Sequence, residues 1–236
     1  MSGRRTIGLI ALAALAAAPA WAQQEHAGHP QPPQESQPVE AAINQSMAGH
    51  QHHGPHFRLT TLRAETPEDC ARADAILNTL REAIEKYKDV RVAEADGYRI
   101  FAPDFPQPEY HFTNYWYGAL AAFNFDPARP TSLLYRKTAD GFELAGAMYT
   151  ASRLAGEDDL DARIPLSVTR WHAHVNICLP PAGEERTADW TRYGPRGAIA
   201  AEEDCRAANG RWRPQIFGWM VHVYPYESSP ERIWPR

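Results

Sequence analysis

Alternation of apolar and polar side chains in two segments restricts the fold of this chain more than any other feature. In residues 167–179, the apolar positions are Trp171, Ala173, Val175 and Ile177, and the intervening positions are His172, His174 and Asn176. Successive side chains of a β-strand point to opposite faces of a sheet. The segment is therefore predicted to be a strand with one apolar face and one face that carries two histidines.

A second segment, residues 216–224, divides its side chains in the same way. Phe217, Trp219, Val221 and Val223 share the apolar face, and Met220, His222 and Tyr224 share the other. In the shorter segment 109–113, Tyr110 and Phe112 lie on one face, and Glu109, His111 and Thr113 lie on the other. Every histidine beyond residue 57 thus falls on the face opposite an apolar one.

If the apolar faces of these strands share one core, the four histidines project from the opposite face of the same sheet. An H-x-H pair such as His172 and His174 spaces its backbones by about 7 Å, which allows two imidazoles to chelate one ion. We therefore predict a site for one transition-metal ion, copper or zinc, on His111, His172, His174 and His222. The alternative is a solvated face with ordinary surface histidines.

Two further residues belong to this prediction. Met220 shares the face of His222 and is a candidate additional ligand, because thioethers suit soft metals such as copper. Glu109 is a candidate fourth ligand, or the general base for metal-bound water if the protein is an enzyme. For both residues the alternative is an ordinary structural role: packing for the methionine and a solvated loop for the glutamate.

The remaining pattern predicts an α+β fold. Thr66 and Pro67 are typical of a helix start, and apolar residues then recur at helical spacing to about Lys88. Asp140-Gly141 between two apolar runs, residues 132–137 and 142–150, indicates a β-hairpin. We expect one antiparallel sheet, with a partly closed barrel as the alternative, and the N-terminal amphipathic helix packed on its apolar face.

The N-terminal residues are typical of an export signal. Arg4 and Arg5 precede an apolar stretch that is too short for a membrane span, and small residues at Ala20 and Ala22 favour cleavage after residue 22. Residues 23–57 are rich in Gln, Pro and His, predicting a disordered, metal-collecting tail before a single metal-binding domain at residues 58–236. We expect a periplasmic or secreted protein without membrane insertion.

Removal of Arg4 and Arg5 with the leader changes the formal charge from −5 to −7, which argues against a nucleic-acid partner. The three cysteines are expected to form one disulfide in an oxidising compartment. Cys178 and Cys205 flank one loop and are the favoured pair, which leaves Cys70 free.

Three motifs carry a resemblance to known sequences: H-F-T-N at residues 111–114, W-H-A-H-V-N at 171–176 and W-M-V-H-V at 219–223. With them, the chain resembles a family of uncharacterised exported bacterial proteins, and the resemblance implies export but no activity. The H-x-H pair is also weakly similar to cupin metal sites, although the glutamate and the glycine pattern of cupins are absent.

Two functions are compatible with these features. In the first, an exported protein buffers copper or zinc, confers resistance to the metal or delivers it. In the second, three histidines leave an open metal position and support a metal-dependent hydrolase or oxidoreductase. A metal-free structural domain would leave the shared face of the histidines unexplained. No protein partner or substrate is indicated by the sequence.

Overall fold

The computed structural model describes residues 54–103 and 109–236, all of which belong to one compact unit. The predicted signal peptide and residues 23–53 of the predicted tail lie outside the described residues. No helix in the described ranges is long and apolar enough to cross a membrane.

Seven strands form one antiparallel sheet. They are β1 (Phe57–Leu59), β2 (Arg99–Ile100), β3 (Tyr110–Thr113), β4 (Ser132–Thr138), β5 (Gly141–Ala151), β6 (His172–Leu179) and β7 (Arg211–Val223). Their order across the sheet is β1-β6-β7-β5-β4-β3-β2. The α+β class and the β4–β5 hairpin are confirmed. The sheet is open, with β1 and β2 at its edges, so the alternative of a partly closed barrel is wrong.

The described chain also contains six α-helices. They are α1 (Pro67–Ile84), α2 (Val90–Ala95), α3 (Tyr115–Ala121), α4 (Glu157–Arg163), α5 (Glu202–Ala207) and α6 (Pro230–Ile233). In α1 the Thr66 side chain accepts a hydrogen bond from the Asp69 amide, as an N-cap does. The helix ends at Ile84 rather than Lys88, because residues 85–88 tighten into a 3₁₀ turn.

The main core lies between α1 and one face of the sheet. Leu77, Leu80 and Ile84 of α1 belong to the same buried apolar cluster as Trp171, which is fully buried, and Val221. The apolar positions of the sheet therefore face this core. Because side chains alternate along a strand, the intervening positions, including the histidines, face the other side of the sheet.

A bulge in β7 changes one assignment made from the alternation. His172 pairs with Met220 and His174 pairs with Ile216, so residues 217–219 all lie opposite Ala173. Phe217 has φ +60° and is 59% exposed, whereas the alternation predicted it on the apolar core face. The extra residues interrupt the alternation at Phe217. The alternation resumes at Trp219, which lies in the core.

The folded unit also includes residues that the composition assigned to the tail. Phe57 begins β1, and His56 is buried with Nδ1 2.9 Å from the Asn176 carbonyl oxygen and Nε2 2.7 Å from the Gly197 carbonyl oxygen. The described fold thus already includes the last two residues of the predicted tail. Among the tail histidines predicted to collect metal, His56 has a structural role instead.

The predicted disulfide between Cys178 and Cys205 is confirmed, and Cys70 is free. The bridge joins the end of β6 to α5 across a separation of 27 residues. Closing a loop of this size stabilises the folded state by about 3–4 kcal/mol in the chain-entropy description. Gly210 packs on the bridge, since a Cβ there would lie 2.4 Å from the Cys178 Sγ.

Candidate functional site

Four histidines that are far apart in the sequence converge on one face of the sheet. His111 lies on β3, His172 and His174 lie on β6, and His222 lies on β7. We call these four residues the histidine cluster. Their exposed fractions are all 7% or less, so the solvated-face alternative does not describe them.

The imidazole rings form a continuous row. Ring centroids are 5.4 Å apart for His111 and His222, 5.2 Å for His222 and His172, and 5.6 Å for His172 and His174. The Nε2 atoms of His111 and His222 lie 3.3 Å apart. Phe57 of β1 covers the end of the row, with its ring centroid 4.9 Å from that of His174.

Curvature of the sheet makes the contact between His111 and His222 possible. β4 and β5 lie between their strands, β3 and β7. Strands about 4.8 Å apart would place these backbones about 14 Å apart in a flat sheet, which is more than two histidine side chains span. The sheet therefore curves around the histidine cluster. On the intervening strand β5, Gly146 leaves room for a close approach to β7, because a Cβ there would lie 2.4 Å from the Val223 carbonyl oxygen.

All four histidines line one pocket with a volume of about 460 Å³. Its other walls include Phe101, Met148, Ile216, Phe217 and Met220. Met148 is opposite His222 in the β5–β7 ladder, and Met220 is opposite His172 in the β6–β7 ladder. Both methionines are 8% exposed, so each is a buried thioether directly beside an imidazole.

Burial keeps His111 and His174 of the histidine cluster uncharged. It lowers the pKa of His111 to about 4, an effect that the adjacent Glu109 backbone partly opposes, and it lowers the pKa of His174 to about 4. Both rings are therefore neutral at pH 7, which is the form that binds metals. The Nδ1 atoms of His111 and His174 are buried without a hydrogen-bond partner among the described residues.

Glu109 is buried and does not lie in a solvated loop, which was the alternative considered for it from the sequence. It is 7% exposed, it is not among the residues that line the pocket, and its Oε1 accepts a hydrogen bond of 2.8 Å from the Tyr224 hydroxyl. Burial raises the pKa of its carboxyl group. The position beside the pocket but outside its lining gives no support to a role as general base.

The arrangement is not a complete metal site as it stands. In the described ranges, no three His, Cys, Asp or Glu side chains are already arranged so that they could hold one ion. The pair formed by His111 and His222 comes near to such a site, with its Nε2 atoms 3.3 Å apart. In a tetrahedral centre with metal–nitrogen bonds of about 2.0–2.1 Å, ligand nitrogens lie about 3.3–3.4 Å apart, which matches this pair.

Two contributors to the site were not predicted from the sequence. Met148 lines the pocket, whereas its neighbours on β5, Ala147 and Tyr149, belong to the core. The alternation along β5 was therefore a usable signal for the face on which Met148 lies. Phe57 was assigned to the tail, and its contact with His174 depends on the edge pairing of a three-residue strand. No local sequence pattern specifies such a pairing.

Comparison with known proteins adds no homologue to this description. No protein-family model matches the chain, no curated protein is significantly similar to it, and no solved structure gives a significant match.

Proposed function

We propose that this protein is an exported transition-metal-binding protein that holds one ion on the histidine cluster, for buffering or delivery. The observation that supports this most directly is the convergence of four buried imidazoles, with the Nε2 atoms of His111 and His222 3.3 Å apart. Metal coordination would replace the contact between these two nitrogens by two metal–nitrogen bonds. Small rotations of the His172 and His174 side chains would add the remaining ligands.

Copper is the favoured ion. Met148 and Met220 lie beside His222 and His172 on neighbouring strands, and both line the pocket. Soft thioether ligands select Cu(I), whereas Zn²⁺ is bound by imidazole, thiolate and carboxylate. A cluster that combines imidazoles with two thioethers therefore suits copper better than zinc. The five histidines of residues 23–53 would raise the local concentration of the ion.

A metal-dependent enzyme is the second candidate, and the pocket favours it. A site used only for storage needs no cavity of about 460 Å³ above its ligands. Catalytic metal sites keep one coordination position open to water or substrate. In that case the same histidines hold the metal, and the pocket receives the molecule that reacts.

Metal titration tests the proposal. The background is the full chain with His26, His29, His50, His52 and His53 replaced by asparagine, so that only the cluster remains to bind the ion. We expect one equivalent of Cu(I), measured against a chromophoric competitor and by elemental analysis. His222→Ala should weaken binding by about a hundredfold or more, because a ligand lost from a buried site is not replaced by water or by a neighbour.

Ile216→Val is the matched control, since Ile216 lines the pocket but offers no ligand atom. It should leave the stoichiometry and the affinity unchanged. The proposal is wrong if the background chain binds no stoichiometric copper or zinc, or if His222→Ala binds the ion as tightly as the background chain does.

A further inference from the structure

We propose that the pocket binds a small uncharged aromatic molecule of one or two rings that carries one heteroatom able to reach the histidine cluster. The second part, coordination of that heteroatom to a metal ion, rests on the proposed function. The first part, the fit of the aromatic body to the pocket walls, does not depend on metal.

The size of the pocket sets the size of the ligand. A dry cavity of about 150 Å³ is enough for benzene. The volume of about 460 Å³ therefore accommodates a molecule of about two rings with its substituents. Pockets for small molecules commonly range from about 300 to 1,000 Å³, so this one is of ordinary size for a specific ligand.

The walls favour an aromatic body. Phe101 and Phe217 meet edge to face above the histidines, with ring centroids 6.0 Å apart and an interplanar angle of 83°. Met148 and Met220 provide polarisable thioethers on the sheet side. Both kinds of side chain make favourable contacts with an aromatic ring beyond those made with an aliphatic chain.

The polar groups of the pocket exclude other ligand classes. Among the described lining residues there is no aspartate, glutamate or lysine, and Arg153 is on the exposed rim. The threonine hydroxyls are largely paired with neighbours: Thr131 with Thr150 at 2.8 Å, and Thr113 with Ser132 at 2.9 Å. A sugar would find few free partners, and a cation would find no carboxylate. The other polar side chains of the lining are Tyr115, which is 64% exposed, Ser152, which accepts a hydrogen bond from the Leu154 amide, and the four histidines. The imidazoles are the buried members of this set, so the ligand needs only one donor atom.

Binding of an aromatic molecule to the metal-free protein tests the first part of the proposal, the fit of the aromatic body to the pocket. The probe is toluene, and the readout is the methyl resonances of Met148 and Met220 in protein labelled with [methyl-¹³C]methionine, with Met47 as internal reference. We expect saturable shifts of Met148 and Met220 and none of Met47. Absence of these shifts up to the solubility limit of toluene would overturn the proposal, whatever the chain does with metals.

Copper-loaded protein tests the donor atom. Imidazole and 4-phenylimidazole are titrated into the Cu(II)-loaded full chain that lacks the five histidines of residues 23–53, and the visible absorption of the metal is followed. The phenyl ring enters the apolar part of the pocket, so 4-phenylimidazole should bind about tenfold or more tightly than imidazole. Equal affinities of the two probes would overturn the proposal while leaving metal binding intact.

Phe217→Asn is the variant that removes the aromatic wall, because asparagine tolerates the positive φ of this position. It should reduce the preference for 4-phenylimidazole over imidazole about fivefold or more. Phe123→Asn is the matched control, since Phe123 is 90% exposed and does not line the pocket. An undiminished preference in Phe217→Asn would contradict the assignment. If the chain binds no metal but toluene still shifts the two methionines, the proposed function fails and the aromatic site stands.

Discussion

Two nitrogen atoms, Nδ1 of His111 and Nδ1 of His174, are buried without a hydrogen-bond partner in the described structure. A buried polar atom that lacks a partner costs about 1–3 kcal/mol. Apolar residues at these positions would avoid that cost, so a function that uses the imidazoles is the simplest reason for their presence. The neighbouring thioethers provide a way to identify the ion.

Met148→Leu and Met220→Leu should separate copper from zinc. Leucine has nearly the same volume as methionine, so the fold should be retained at a cost below about 1.5 kcal/mol. If the thioethers ligate, each change should weaken Cu(I) binding about tenfold or more and leave Zn(II) binding unchanged. Competition titrations with both ions measure this. Equal losses for the two ions would mean that the methionines only shape the pocket.

At the scale of secondary structure, alternation identified the elements that bear the histidines. β6, β7 and the β4–β5 hairpin follow patterns whose period is local, and the face of each histidine follows from parity alone. The strand order and the curvature of the sheet depend on long-range pairing, which no local pattern contains. The bulge at Phe217 is invisible for the same reason: it inserts residues without changing the apolar composition of β7.

Gly218→Ala tests the importance of this bulge for the site. A Cβ at residue 218 would lie 1.9 Å from the backbone carbonyl oxygen of Ala151, so β5 or β7 must move. Overpacking of this kind costs about 1–3 kcal/mol, and the movement displaces Phe217 from the pocket wall. Urea unfolding should show the loss of stability, and toluene should no longer saturate the shifts of Met148 and Met220.

Gly156→Ala is the control for this change, because its Cβ would meet no atom closer than 3.7 Å. It should cause a clearly smaller loss of stability and leave toluene binding intact. If Gly218→Ala is as stable as Gly156→Ala and binds toluene normally, the bulge does not determine the geometry of the pocket.

In the molecule as a whole, the two faces of the sheet have different tasks. One face packs on α1 and supplies the continuous apolar core, while the other encloses the pocket and the histidine cluster. The disulfide loop contributes to the second face through the Gly197 carbonyl, which contacts His56 next to β1. Burial of the histidines on that face also makes the stability of the whole protein depend on pH.

The free energy of unfolding of the metal-free protein should fall as the pH is lowered from about 6.5 to 4. Burial lowers the pKa values of His111 and His174 from 6.5 to about 4 in the folded state. In this window the unfolded chain binds protons at these rings and the folded protein does not, so unfolding is favoured by acid. The contribution is fully present above pH 6.5. The slope is about 1.4 kcal/mol per pH unit for each histidine.

Urea unfolding from pH 4.5 to 7.5 in the presence of a chelator measures this dependence, and two variants change it in opposite directions. His174→Asn removes one titrating ring and should flatten the slope by about 1.4 kcal/mol per pH unit. Glu109 opposes the histidines, because its raised pKa makes the folded carboxyl group retain a proton that the unfolded chain has already lost. Glu109→Gln should therefore steepen the slope, since the amide oxygen can still accept the hydrogen bond from Tyr224. An unchanged slope in His174→Asn would show that its imidazole is not held neutral by burial.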